Sequence, residues 1–228
     1  MLDVPGSLEE IAVAFDELNA EGVVVDNNYH GTYLGHKDFD SIFQNLNQRS
    51  ATVFIHPTTP CLRSEGLANP LEHFPRPLLE FFFDTARAVA NLFLSGTVAR
   101  CPNITFLISH MGGALPPLID RFATMGAHML PGVDLTMSPA WVEERLTAQF
   151  YFDTAGWALP KQCRGLLQYV SVDRMLYGSD FPWTPLPAVS LLSMNHDRYL
   201  ADLFPDPEDQ EKLCSGNATK ILSGKVFA

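Results

Sequence analysis

The chain has 228 residues, 46% of them hydrophobic, enough to bury a sizeable core as a single domain over residues 1–228. Lys and Arg number 15 against 26 Asp and Glu, a formal net charge of −11 that repels phosphate backbones and argues against nucleic-acid or membrane partners. The same field opposes an anionic substrate, unless a bound cation reverses the sign locally.

Ser7 reads as the N-cap of a first helix, with Glu9 and Glu10 in its first turn and Leu8, Ile11, Phe15 and Leu18 on one face. Val23-Val24-Val25 follows Gly22 as a buried strand closed by Asp26-Asn27-Asn28. Residues 29–37, with Gly31 and Gly35, read as a loop before a helix over 39–48. Thr52-Val53-Phe54-Ile55 is the next strand and ends in His56-Pro57. Residues 57–75 carry many Pro, Gly and Ser and form a long connection of the kind that serves as a lid or binding loop. Pro77 opens a helix over 78–94, and Ile104 to Ile108 forms a strand ending in Ser109-His110-Met111-Gly112-Gly113. Helices over 116–125 and 139–146 lead to Phe150-Tyr151-Phe152, a strand ending in Asp153-Thr154. A helix over 160–170 precedes Met175-Leu176-Tyr177, a strand that stops at Gly178-Ser179-Asp180-Phe181-Pro182-Trp183. Residues 188–200 and 207–214 read as C-terminal helices.

Strand and helix alternate five times, which predicts a parallel sheet with crossover helices. Each strand is a continuous apolar run, as expected where both faces are covered. Each also ends in polar residues: Asp26 and Asn27, His56, His110, Asp153, Asp180. In a parallel α/β barrel the strand C-termini face one mouth, so five polar ends predict one functional rim. No G-x-G-x-x-G follows the first strand and no Walker A segment occurs, so a barrel fits better than a dinucleotide or nucleotide fold.

His56, His110 and Asp180 offer the imidazole nitrogens and carboxylate that suit zinc, manganese or iron. Each has a structural reading beside the chemical one: Asp180 as a helix cap or Asx turn, a strand-end histidine as a hydrogen-bonded residue. His30, His36, His73, His128 and His196 read as loop or helix-end residues without a site role. Arg121, eleven residues after His110, reads as a helix-surface charge, with a carboxylate or a subunit interface as its other possible partners. Cys61, Cys101, Cys163 and Cys214 form no C-x-x-C pair and read as buried reduced thiols of a cytoplasmic protein. The N-terminal residues have neither a basic nor an apolar signal region, and no run long enough to span a membrane occurs.

Phe54-Ile55-His56-Pro57, Ile108-Ser109-His110-Met111-Gly112-Gly113 and Tyr177-Gly178-Ser179-Asp180-Phe181-Pro182, in that order, resemble the amidohydrolase-related decarboxylases. That group includes the aminocarboxymuconate-semialdehyde decarboxylases. Residues 91–122, with Gly96-Thr97-Val98-Ala99-Arg100, look most similar to the 6-methylsalicylate decarboxylases of polyketide pathways. The resemblance covers essentially the whole chain and implies a (β/α)8 barrel of the metal-dependent hydrolase type. It implies a divalent metal, zinc foremost with manganese as the alternative, held by His56 from barrel strand five and Asp180 from strand eight. It implies that His110, on strand six, is the acid–base residue, with Asp180 beside it in the catalytic centre. The implied reaction is non-oxidative loss of CO₂ from a small aromatic or conjugated carboxylic acid.

The chain departs from the family pattern in one respect. The family carries His-x-His or Glu-x-His on strand one, and neither occurs here. With Val23–Val25 as barrel strand four, about five βα units remain, strands four to eight, so an incomplete, N-terminally shortened barrel is expected. Its unpaired edges predict a homodimer. An amidohydrolase-type hydrolase, such as a lactonase, and an inactive remnant are the competing readings.

Overall fold

The computed structural model describes residues 1–60, 71, 73–129 and 137–226. Cys61 and most of the long connection over 57–75 lie outside the described residues. In chain order the elements are α1 (Val4–Ala12), β1 (Gly22–Asp26), a hairpin of β2 (Asn28–Tyr29) and β3 (Thr32–Tyr33), α2 (Asp40–Gln48) and β4 (Thr52–His56). Then come α3 (Glu80–Leu94), α4 (Thr97–Arg100), β5 (Thr105–Ile108), α5 (Ile119–Met129), α6 (Pro139–Gln149) and β6 (Phe150–Asp153). The last are α7 (Lys161–Leu166), β7 (Met175–Leu176), α8 (Leu186–Leu203), α9 (Pro207–Glu211) and α10 (Asn217–Val226).

The five predicted strands form one parallel sheet in the order β1-β4-β5-β6-β7. Each strand neighbours the next in sequence, as successive crossover units require. The register places Val53, Phe106 and Phe150 in one row and Ile55, Ile108, Phe152 and Met175 in the next, all fully buried. Phe150 stacks on Phe106 and Phe93, with ring centroids 4.9 and 5.3 Å apart, so aromatic surface joins the sheet to α3.

The opposite face differs from the expectation of two covered faces. There Val24, Phe54, Leu107 and Tyr151 share a row, and Val24 is 68% exposed while Phe54 and Leu107 are only half-buried. Burial alternates along β4 and β5 and is incomplete along β1, as where one face is covered, whereas β6 and β7 are buried on both faces as expected.

Several local expectations are corrected. Asp3, not Ser7, caps α1: its carboxylate accepts the Gly6 N–H at 3.1 Å, and the Ser7 hydroxyl donates back to the Asp3 carbonyl. Residues 29–37 hold a hairpin turned at His30-Gly31, where φ is +53° and +87°. Tyr177 leaves the sheet after two residues of β7 because its N–H pairs with the Leu213 carbonyl at 2.8 Å. The segment after Pro160 is helical only over Lys161–Leu166, and α9 passes through a wider turn over Lys212–Gly216 into α10. His196 is not at a helix end but buried within α8, and Cys214 is exposed. Among the described residues no helix is long and apolar enough to cross a membrane.

These contacts set a contrast between the two faces. Phe150→Ala is expected to cost about 3–5 kcal/mol in urea denaturation, because it removes the centre of the aromatic layer. Val24→Ala should stay within about 0.5 kcal/mol of the parent, since its side chain faces solvent.

Candidate functional site

The three residues singled out by the sequence meet at the C-terminal lip of the sheet. His56 closes β4, in register with Asp26 of β1. His110 lies in the turn after β5, and Asp180 follows β7. Two of them are held in left-handed backbone conformations, His110 at φ +56° and Asp180 at φ +62°, with Met111 at +50° between His110 and two glycines. Side chains rarely adopt such angles unless their surroundings over-determine them, and they gather at sites of function.

Those surroundings are visible. Gly112 and Gly113 follow at φ +77° and +62°, and a Cβ on Gly113 would lie 2.4 Å from the Phe82 carbonyl of α3. The Phe82 ring packs 5.4 Å from the His110 ring, and a Cβ on Gly156 would come within 3.1 Å of His110 Cδ2. The Gln162 side chain donates to the His110 carbonyl and, at 2.8 Å, to that of Gly113. Asp153 lies beneath the turn. Its carboxylate accepts the His110 N–H at 2.8 Å and the Ala155 N–H at 3.0 Å. On the Asp180 side, Thr184 donates its N–H to the Asp180 carbonyl and its hydroxyl to Oδ2 at 2.5 Å.

This leaves Asp180 Oδ1 facing His110 Nε2 at 3.6 Å, an ion pair when the imidazole is protonated. The rings of His56 and His110 are 6.3 Å apart. His56 Nε2 is buried and has no hydrogen-bond partner, and the Trp183 ring tilts over His56 at 5.4 Å. Burial lowers the His56 pKa below its ordinary 6.5, and the charge of a protonated His110 adds to that. Burial alone would raise Asp180, but hydrogen bonds from His110 and Thr184 outweigh it and the carboxyl is held low. Asp153 is raised, chiefly by burial. Of the two aromatics flanking Asp180, Trp183 reaches the site while remaining 73% exposed, and Phe181 is exposed beside it.

Sequence reasoning missed a second polar layer next to His56. Asp84, fully buried in α3, accepts from the Tyr33 hydroxyl and from Asn28 Nδ2 at 2.7 Å. Asn28 also donates to Asn27 Oδ1, which accepts the Thr58 N–H at 3.2 Å, while the Asn27 N–H binds the His56 carbonyl at 3.0 Å. The backbone on both sides of Pro57 is thereby clamped to the end of β1. The tandem asparagines after Val25 were the signal, but their partner in α3 lies 56 residues away.

Whether these residues suit a divalent cation is a question of donors. An unpartnered imidazole nitrogen on His56 and a depressed carboxylate on Asp180 are appropriate ligand atoms. Among the described residues, however, no group of three or more His, Cys, Asp or Glu is arranged to enclose an ion. The donors fit as part of a coordination set and not as a whole one.

A parallel βα sheet with imidazoles and a carboxylate at its C-terminal lip defines the class of metal-dependent hydrolases and their relatives. The amidohydrolase family profile matches residues 1–223, and the chain belongs to that family. A 6-methylsalicylic acid decarboxylase from Penicillium expansum is 37% identical over 226 residues, covering 97% of this chain and 66% of that protein. The crystal structure of an amidohydrolase II superposes with a TM-score of 0.83 at 30% identity, covering 97% of this chain and 67% of the other. A dihydroxybenzoic acid decarboxylase from Polaromonas sp. JS666, with bound manganese and an inhibitor, shares the fold with a TM-score of 0.75 at 17% identity, covering 97% and 67% of the two chains. The chain spans between 51% and 66% of the length of the first four curated relatives it matches.

Two outcomes follow from the site geometry. Because the folded His56 pKa lies below 6.5, the unfolded chain binds more protons on it in the window below 6.5. Its contribution to stability is therefore full above that value and is lost as pH falls through the folded pKa. In chelator-treated buffer the thermal midpoint of the parent should fall more between pH 7.5 and 5.5 than that of His56→Gln. Asp153→Ala leaves the His110 and Ala155 N–H groups without an acceptor and should cost about 1–3 kcal/mol, with Asp153→Asn recovering most of it.

Proposed function

We propose that this chain is the catalytic part of a metal-dependent, non-oxidative decarboxylase of an aromatic or conjugated carboxylic acid of the 6-methylsalicylate type. The observation that carries the reading is the meeting of His56, His110 and Asp180 at one lip, in a chain 37% identical to a 6-methylsalicylic acid decarboxylase. In this reading His56 and Asp180 hold a divalent metal, zinc or manganese, and substrate, water or residues outside this group complete its coordination. The metal, when bound, supplies the positive charge that lets an anionic acid enter a chain of net charge −11.

The protein's own residues do the rest. Trp183 and Phe181 offer an apolar wall to the ring. His110, locked by its turn and facing Asp180, acts as the acid–base group that delivers a proton to the carboxyl-bearing ring carbon. The bond from that carbon to the carboxylate then breaks, its electron pair returns to the ring, and CO₂ leaves. Asp180 keeps its carboxylate ionised, which suits a ligand and orienter of His110 better than a proton donor.

The five strands, in this reading, are an arc of a (β/α)8 barrel within one domain, and the half-open row of Val24, Phe54 and Leu107 is the inner face of that arc. Free thiols at Cys101 and Cys163 suit a cytoplasmic setting. The chain pairs with a second copy as a homodimer, which the unpaired outer edge of β1 favours.

Incubation of the purified chain with 6-methylsalicylate and Mn²⁺ or Zn²⁺ tests the reaction. Release of CO₂ with formation of 3-methylphenol is the expected result, lost on chelation and restored by metal. His110→Gln should lower kcat by about 10²–10⁴-fold with metal content unchanged. Near-normal turnover by that variant would remove His110 from its role. Ring-opening of a lactone without CO₂ release would make the chain a hydrolase, and no turnover with no metal bound would make it an inactive remnant.

A further inference from the structure

A small cavity lies beside the lip, under α8. Val189, Leu192, Ser193 and His196, at helical spacing, present one side of that helix to it. Thr154, Gly156, Gly178 and Ser179 close it from the ends of β6 and β7. Its volume is about 10 Å³, room for one water molecule. The walls are shared with the site. Gly156 is the residue whose Cβ would press on the His110 ring, Gly178 the one whose Cβ would press on Asp153, and Ser179 directly precedes Asp180.

His196 has no role in the chemistry described above, yet its imidazole is buried, 7% exposed. Tyr177 meets the ring edge-on with centroids 5.1 Å apart, which limits its rotation. Nδ1 stands 3.7 Å from the Asp197 carboxylate, while Nε2 is buried with no hydrogen-bond partner among the described residues. The nearby carboxylate favours the proton on Nδ1 and leaves Nε2 a bare acceptor. Burial lowers the pKa of the ring below its ordinary 6.5, so it is neutral at pH 7. A buried acceptor without a donor bears the full cost of its lost hydration, and a water molecule relieves that cost where a polar space admits one.

We propose that this cavity binds one water molecule, which donates to His196 Nε2 and bridges it to the hydroxyls of Thr154 and Ser179, making His196 a positioning residue for Asp180. The lining carries no carboxylate, Lys or Arg, so neither a cation nor an anion finds a countercharge there, and a neutral occupant fits. Both hydroxyls already hold the turn. Thr154 Oγ accepts the Gly178 N–H at 3.2 Å, and Ser179 Oγ accepts the Phe181 N–H at 3.3 Å. A hydroxyl has one donor and two lone pairs, so each keeps capacity for a water after accepting one N–H. The backbone before Asp180 and the backbone after it are thus tied, through one water, to the buried face of α8.

The water site stands on the cavity alone, whereas an effect on turnover rests also on the reaction proposed above, so the two are read separately. A high-resolution crystal structure of the purified chain is expected to show one ordered water within hydrogen-bond reach of His196 Nε2 and of both hydroxyls. A dry cavity, or one filled by a side chain, would overturn the site and the positioning role together. Hydrogen exchange then reads the role. His196→Phe keeps a ring but no acceptor, and it should speed exchange of the Gly178 and Thr184 N–H groups about 10-fold while amides of β4 and β5 are unchanged. His196→Gln, which keeps an acceptor, should restore most of the protection. Unchanged exchange at Gly178 and Thr184, or equal acceleration throughout the sheet, would overturn the positioning role and make His196 a packing residue. With saturating metal and 6-methylsalicylate, His196→Phe should lower kcat about 10-fold with KM unchanged. An inactive parent that shows the water and the local exchange effect would remove the reaction and leave the site and its role standing.

Discussion

Asp153 imposes the constraint on which the rim depends. A carboxylate taken out of water has to be supplied with donors, and here the supply comes from the backbone N–H groups of His110 and Ala155. Meeting that demand bends the chain after β5 into its left-handed turn and so fixes where the His110 imbidazole stands. The reach of Asp153 extends to the Asp180 strand, because a Cβ on Gly178 would lie 3.1 Å from the Asp153 Cβ. One buried acid thus sits against both segments that carry the His110–Asp180 pair.

The second buried acid, Asp84, does comparable work for His56. Its hydrogen bonds to Tyr33 and Asn28 hold the tandem asparagines, and Asn27 in turn grips the backbone around Pro57. Each imidazole of the site is therefore positioned from below by a carboxylate that does not touch it. The outer polar layer orients the inner one, a division of labour common where ligand atoms must stay free for something else.

Much of this architecture was legible in the sequence, and for particular reasons. Runs such as Thr52–Ile55 and Thr105–Ile108 are short and rich in β-branched and aromatic residues, which favours a strand over a helix, and the polar residue ending each run marked the rim. His56, His110 and Asp180 were found this way, and the resemblance gave them their order. What the sequence hid was non-local. Continuous apolarity in Val23-Val24-Val25 could not tell a covered face from an open one, because the sheet's second face is decided by what packs on it. Asp84 looked like one more charge in a helix, since its partners come from a hairpin 51 and 56 residues earlier. His196 was misplaced for a similar reason: its burial in α8 reflects the edge-on contact with Tyr177 from another segment.

The left-handed angles at His110 and Asp180 carry a consequence for how this sequence can drift. At φ near +60° glycine is freely tolerated, and asparagine, aspartate and histidine are tolerated more readily than other residues, so most replacements at these positions are penalised by the backbone before chemistry is consulted. The short list of residues compatible with the turn at 180 contains aspartate itself, so the carboxylate there comes at little conformational cost. At 110 histidine belongs to the same short list, and a lineage released from selection for its imidazole would be expected to drift within that list, toward glycine, asparagine or aspartate, first.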